Sequence, residues 1–229
     1  MTLGSVRPLR IIRLRRPPVF AALSGRFVPS QVTLQEIDAC WEALCRSNGK
    51  LVDGGILQVL GTSRNGHGGV SMHVQECAYR FFAVQASGLN CGVRPLGVKG
   101  IVSVGSKYLV GKRSTLVGSY QGSWEFVPGG GLEQASDPVA GLRGEFEEEV
   151  GFALPADITP IAIALLDDTI ARSWDIIYRV RLTGECVCTP SFEHDSLRLL
   201  SLEELRALDN SSPAMGAMLS LLPRSSSER

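Results

Sequence analysis

Residues 129–152 read GGGLEQASDPVAGLRGEFEEEVGF, a glycine run that leads into a stretch with helical periodicity and a concentration of carboxylates. At 3.6 residues per turn, Val139, Leu142, Phe146 and Val150 fall on one narrow stripe, while Glu145, Glu148 and Glu149 occupy the adjoining sector. One face packs and the next is suited to chelation. Like charges at i,i+4 cost roughly 0.2 to 0.5 kcal/mol per pair, and a glycine inside a helix costs roughly 0.5 to 1 kcal/mol relative to alanine. Gly141 and Gly144 both lie inside this segment, so packing and a bound cation are expected to override local preference. Mg²⁺ is the expected ion, because it favours carboxylate oxygens and leaves coordination sites for water and phosphate; Mn²⁺ is the alternative. A solvated acidic helix face is the competing reading of an isolated EFEEE run. Asp137 followed by Pro138 reads as an N-cap and first helical residue.

In this arrangement the stretch resembles the Nudix box, whose pattern is Gly, five residues, Glu, seven residues, Arg-Glu, an aliphatic, any residue, Glu-Glu, any residue, Gly and an aliphatic. Gly130 takes the opening glycine, Glu145 the glutamate of the Arg-Glu pair, Glu148 and Glu149 the paired glutamates, and Gly151 with Phe152 the close. Two positions depart from it. Ser136 stands where the first glutamate belongs and Gly144 where the arginine belongs. In the family these two are expected to brace the loop against the helix as an ion pair. Loss of both halves of a polar pair strands no charge, so the change reads as a replaced brace. A weakened enzyme is the other reading. Arg143 is one position from the usual arginine, but a one-residue shift rotates a side chain by about 100°. Glu147, at i+4, is its expected partner.

The flanks extend the resemblance. Upstream, PLGVKGIVSVGSKYLVGKRSTLVGSYQGSWEFVPGGG (95–131) reads as two apolar strands joined at Gly105-Ser106-Lys107, a polar loop, and a short strand ending in Pro128 and glycines. Lys99, Lys107, Lys112 and Arg113 face only Glu125 as an acid across residues 96–130. That balance suits phosphates, although solvated strand edges use lysine equally well. Downstream, PIAIALLDD and SWDIIYRVRLTGE read as strands, and FEHDSLRLLSLEELRAL as a loop and strand followed by a helix capped by Ser201 and Glu204. Nudix proteins commonly place a metal-binding or general-base glutamate in the loop before such a strand, and Glu193 matches that position. His194, the only histidine near this motif, reads as incidental.

The chain has 229 residues, 44% of them hydrophobic, and a mean hydropathy of +0.11, as a packed globule requires. No apolar run is long enough to span a bilayer. Twenty-three acids balance 23 bases, which gives no support for general nucleic-acid binding but leaves a nucleotide substrate open. The six cysteines form no CxxC pair or zinc-type spacing, so free thiols in a reducing compartment are expected.

The resemblance covers about residues 94–209, within a hydrolase domain expected at 94–222. Before it, residues 31–93 read as a small α/β lobe. Thr33 and Glu36 form a capping box, Leu34, Ile37, Trp41 and Leu44 share a helix face, and Asn48-Gly49 stops the helix. GGILQVLGT and GGVSMHVQE read as strands around the turn RNGHGG, followed by AYRFFAVQA. This lobe resembles the one that precedes the hydrolase domain in Nudix members acting on UDP-sugars, where it would shape the pocket or a homodimer interface. Residues 1–30 hold Arg7, Arg10, Arg13, Arg15, Arg16 and Arg26 without an acid. An organellar, for instance mitochondrial, transit peptide would look similar, but Pro8, Pro17 and Pro18 interrupt any long helix. A basic strand or mobile arm explains the bias equally well, and a cytoplasmic location is the first expectation. SSPAMGAMLSLLP (211–223) reads as a short packed helix, and residues 223–229 as a disordered tail.

The resemblance implies a Nudix-type α/β/α sandwich with a mixed sheet and a Mg²⁺-dependent hydrolase. Its substrate would be a nucleoside diphosphate linked to another group, a nucleotide sugar first and ADP-ribose next. The metal ligands it implies are Glu145, Glu148 and Glu149 with the Gly130 carbonyl, and the catalytic residues Glu145, Glu149 and Glu193. A noncatalytic Nudix-like nucleotide-binding or regulatory module is the alternative.

Overall fold

The computed structural model describes residues 9–49, 51–115, 117, 119–133, 137–184 and 186–223. Residues 1–8, Ser136 and residues 224–229 lie outside the described residues, and with them Arg7, Pro8, the serine half of the expected brace replacement and nearly all of the predicted tail.

A mixed sheet of eight strands forms the centre. Its order is β1 (Arg10–Arg13), β9 (Ile161–Asp168), β10 (Ser173–Leu182), β5 (Leu96–Val104), β6 (Lys107–Arg113) and β11 (His194–Ser201). Two short strands lie off this path: β7 (Trp124–Phe126) pairs with β6, and β8 (Gly129–Gly131) with β5. Among the described residues, the β10 to β5 pairing is the one parallel strand pairing within this sheet. Successive strand residues alternate between faces, so Leu165 and Ile176 enter the core on one side while Leu166 and Ile177 enter the core on the other. The first face is covered by helix α3 (Pro138–Val150), and the second by α4 (Leu202–Arg206) and α5 (Pro213–Leu219). The α/β/α sandwich with a mixed sheet is therefore present.

Helix α3 forms where the periodicity places it. Asp137 accepts the backbone N–H of Ala140 at 3.2 Å, and Pro138 occupies the first turn. Leu142, Phe146 and Val150 are completely buried. Burying each such side chain is worth about 1.5 to 3 kcal/mol, which outweighs the local costs of the two glycines and the crowded carboxylates. Gly151 ends the helix at φ 88°, a left-handed conformation that glycine adopts without strain.

The smaller sheet has the order β2 (Val19–Arg26), β4 (Val70–Ala78), β3 (Gly55–Arg64). Alternation on β4 sends Val70, Met72 and Val74 into the core shared with α3, and Cys77 into a separate core with Ile37 and Phe81. Ile37 belongs to α1 (Leu34–Ser47), whose Thr33 and Glu36 capping box and Asn48 stop match expectation; Phe81 belongs to α2 (Tyr79–Ala83). The basic segment contributes two strands: β1 joins the large sheet beside β9, and β2 joins the small one beside β4. Val59 donates its N–H to the Arg94 carbonyl at 2.8 Å, and Leu57 donates to Leu132 at 3.2 Å. A cut at residue 93 thus passes through a common core and shared backbone hydrogen bonds. Among the described residues, no helix is long and apolar enough to cross a membrane, and all six cysteines are free thiols.

Candidate active site

The three glycines after Pro128 form a strand, not only a loop. In β8, Gly129, Gly130 and Gly131 pair with Lys99, Val98 and Gly97 of β5. This brings the glycine backbone under α3. A Cβ on Gly130 would collide with the Glu145 carboxylate, and one on Gly97 would lie 2.6 Å from Asp175 Oδ1 and 2.7 Å from the Gly130 carbonyl oxygen. Glycine is required at both positions because backbone and carboxylate approach this closely.

Glu149 is 2% exposed. Its Oε2 accepts the Gly129 N–H at 3.0 Å, while its Oε1 is buried without a protein partner. Burial first, then the charges of Glu125, Glu145 and Glu193, push its pKa well above the usual carboxylate range, and the bond from Gly129 opposes them only in part. Glu145 behaves similarly. Burial, reinforced by Glu148 and Glu193, raises its pKa to about 7. Glu148 is exposed on the helix, and Glu193 is half-buried in the loop before β11. Among the described residues, no three His, Cys, Asp or Glu side chains are already gathered in a metal-binding geometry. The orphaned oxygen of Glu149 and the mutual repulsion around Glu145 nonetheless fit a divalent cation, whose charge would offset both.

Next to these carboxylates is a buried charge cluster that the sequence indicated only in part. Glu125, 5% exposed, pairs with Arg113, accepts from His194 Nε2 at 3.1 Å and lies 3.8 Å from Lys99 Nζ. Burial would raise the Glu125 pKa, but Lys99, His194 and Arg113 together hold it down at about 2. Burial likewise works against the Lys99 charge, and Asp175, Glu125 and Glu149 overcome it, so its pKa is raised. Of the four cations considered for phosphate, Lys99 and Arg113 converge on this cluster. Lys107 and Lys112 are exposed.

Two expectations are corrected here. His194 is buried at 3% exposure and bonded to Glu125, because β11 pairs with β6 and brings its ring against Gly111. Arg143 does not take Glu147 as its partner. Its guanidinium donates to the carbonyls of Leu154 at 2.8 Å, Pro155 at 3.2 Å and Ile158 at 2.5 Å, fastening the loop after α3. Carbonyls of a following loop leave no pattern in side-chain spacing. Glu125 and Asp175 were the readable omissions, since each is an acid within a strand buried on both sides.

A cleft of about 220 Å³ opens beside β8. Lys99, Arg113 and Asp175 line it from within the residues that follow position 93, and Ile56, Tyr79 and Phe82 line it from the residues before it.

The family model of the NUDIX domain matches residues 93–222. The chain belongs to the Nudix family. It is a Nudix pyrophosphohydrolase, of a class that generally uses divalent metals. Similar solved structures include the MutT protein from Methanosarcina mazei Go1, at 18% identity over 56% of this chain and 91% of that one, with a TM-score of 0.46. A MutT NUDIX hydrolase from Burkholderia pseudomallei shares 20% identity over 57% of this chain and 98% of its own, with a TM-score of 0.47. A bifunctional NMN adenylyltransferase/ADP ribose pyrophosphatase from Francisella tularensis, complexed with AMP and a Mn ion, shares 14% identity over 56% of this chain and 41% of its own, with a TM-score of 0.45. No curated protein matches the chain.

Proposed function

We propose that this Nudix hydrolase cleaves, with Mg²⁺, the pyrophosphate of a nucleoside diphosphate linked to another moiety, a nucleotide sugar being the first substrate class. The observation that carries the reading is the pair Glu145 and Glu149 pressed against Gly130 and Gly129, with one buried carboxylate oxygen lacking a protein partner. Glu145, Glu148, Glu149 and the Gly130 carbonyl would hold the ion. When bound, it supplies a positive charge that polarises a phosphoryl oxygen and offsets charge developing in the displacement. Lys99 and Arg113 lie on the cleft side of the glycine strand, where they would orient the diphosphate. Glu193 takes the proton from the attacking water; the water oxygen bonds to phosphorus as the bridging P–O bond breaks. The products are a nucleoside monophosphate and the phosphorylated second moiety. The preference for nucleotide sugars rests on Ile56, Tyr79 and Phe82, residues of the proposed lobe that line the cleft.

A screen of nucleoside diphosphate sugars, ADP-ribose, dinucleoside polyphosphates, NADH and nucleoside triphosphates with Mg²⁺ or Mn²⁺ tests this reading, with products resolved by mass. Release of a nucleoside monophosphate from a nucleotide sugar is the expected result. Turnover restricted to the triphosphates would overturn the substrate class, and no turnover of any compound would overturn the reaction.

A further inference from the structure

The segment between β10 and β11 carries two of the six cysteines one residue apart, Cys186 and Cys188. Their Sγ atoms lie 3.0 Å apart, in a hydrogen bond for which either thiol can be the donor. Both are half-buried and pack against the core that holds Phe146 and Val150, while Val187 between them is 79% exposed. The other four cysteines are arranged differently. Cys77 and Cys91 are buried in the separate core with Ile37, and Cys40 and Cys45, five positions apart on α1, project in directions about 140° apart.

Two thiols already in sulfur contact need only a short approach to become a disulfide, whose sulfurs are about 2.05 Å apart. Thiol–disulfide exchange makes that bond in two displacements. Burial, then the hydrogen bond and charge of Cys186, push the Cys188 pKa up to about 12, so Cys188 keeps its proton and Cys186 attacks first. The Cys186 thiolate attacks one sulfur of a low-molecular-weight disulfide; that S–S bond breaks, one small thiolate leaves, and Cys186 holds the other half as a mixed disulfide. Cys186 then no longer carries the charge that opposes ionisation of Cys188. The Cys188 thiolate attacks Cys186 Sγ and releases the second small thiolate. The two cysteines lose two electrons, the small disulfide gains them, and the two thiol protons pass to the two small thiolates.

The segment is tied to the glutamate helix at one point and leads to Glu193 at the next. Thr189 donates its N–H to the Val150 carbonyl at 2.9 Å, and a Cβ on Gly151 would lie 3.1 Å from the Thr189 Cβ. Further along, the Glu193 carbonyl accepts the Ser114 N–H at 2.8 Å. A bridge between Cys186 and Cys188 therefore pulls on a short tether between the end of α3 and Glu193. It encloses a single residue, and constrained, accessible disulfides are the readily reduced kind.

We propose that Cys186 and Cys188 are a reversible oxidation site for small disulfides, and that the bridge they form displaces Glu193 and lowers hydrolysis. The second half rests on the reading that Glu193 takes the proton from the attacking water.

Peptide mapping separates this proposal from the hydrolytic one. The full-length protein is equilibrated with glutathione disulfide, denatured with N-ethylmaleimide to block remaining thiols, and digested with trypsin. Cleavage after Arg181 and Arg198 leaves both cysteines in one peptide that holds no other cysteine. This peptide should lose both labels together, carry no glutathione, and regain both labels when dithiothreitol precedes the blocking. Cys188→Ser should instead retain glutathione on Cys186. With the bridge formed, Mg²⁺-dependent turnover should fall about tenfold, part of the roughly 10²- to 10⁴-fold that a positioned general base contributes. The double variant Cys186→Ser/Cys188→Ser should keep its turnover in the same oxidant; melts establish that it is folded, and mapping of the unsubstituted protein does not depend on it. Retained labels, a lasting glutathione adduct on the unsubstituted peptide, or a bridge to another cysteine would overturn the site. A bridge that leaves turnover unchanged would overturn its link to Glu193. A reduced protein that hydrolyses nothing would reject the proposed reaction, while the mapping still decides the oxidation site.

Discussion

Gly129 donates its backbone N–H to Glu149 Oε2 at 3.0 Å, joining the glycine strand to the glutamate helix at a buried carboxylate. The neighbouring Gly130 meets Glu145 so closely that a Cβ has no space. The two contacts make the position of β8 a condition for the geometry of both glutamates.

Gly130→Ala should therefore disturb the site more than the fold. The added methyl displaces the Glu145 carboxylate, and turnover with Mg²⁺ should fall at least about tenfold, equivalent to about 1.4 kcal/mol of transition-state stabilisation. Steady-state kinetics beside a circular-dichroism melt check this. Unchanged turnover would show that the contact has no part in catalysis.

Glu149→Gln should separate stability from activity. The amide retains an acceptor for Gly129 and removes a charge that burial and three neighbouring acids disfavour, so the metal-free melting temperature should stay level or rise. Turnover should drop about tenfold or more because the proposed metal ligand loses its charge. A lower melting temperature together with retained activity would contradict both halves.

Stability of the metal-free protein should depend on pH in a defined sense. The folded Glu145 pKa is raised from 4.5 to about 7, so the native state holds this proton more tightly than the unfolded chain does. Stability is highest below the unfolded value, declines as pH rises between the two values, and the loss is complete above the folded one. Its upper limit is on the order of 3 kcal/mol, reduced by solvent reaching the half-buried carboxylate. Glu149 adds in the same direction. Melts in EDTA from about pH 5 to pH 8 should show this decline, and Mg²⁺ should flatten it. A rise in melting temperature over that range in EDTA would refute the assignment.

The two glycines inside α3 should respond oppositely to alanine. A Cβ on Gly144 meets open space, whereas one on Gly141 runs into the Leu132 side chain. Gly144→Ala should stabilise the fold by about 0.5 to 1 kcal/mol through helix propensity. In Gly141→Ala that gain should be cancelled or reversed by displacement of the buried Leu132 side chain. Chemical denaturation of both variants provides the comparison, and equal gains would mean that Leu132 yields freely.

Helix α3, its Asp137 cap, the buried stripe of Leu142, Phe146 and Val150, and the Thr33 and Ser201 capping boxes were legible in the chain. Each depends on neighbours within a few turns, where backbone periodicity alone sets which side chains share a face. The strands on both sides of α3 were legible for the same reason. Packing alone decided that Arg143 bonds to carbonyls 11 to 15 residues away, that β1 pairs with β9, and that Val70, Met72 and Val74 complete the hydrolase core. His194 and Glu125, 69 positions apart, became partners only through the pairing of β11 and β7 with β6. Local spacing carried the glutamate helix, which is written in i, i+3 and i+4 relationships, and the contiguous motif from Gly130 to Phe152 carried the family resemblance. The charge cluster and the aromatic cleft arose only when sheet register and the burial of apolar faces brought remote segments together, and no local periodicity records those pairings.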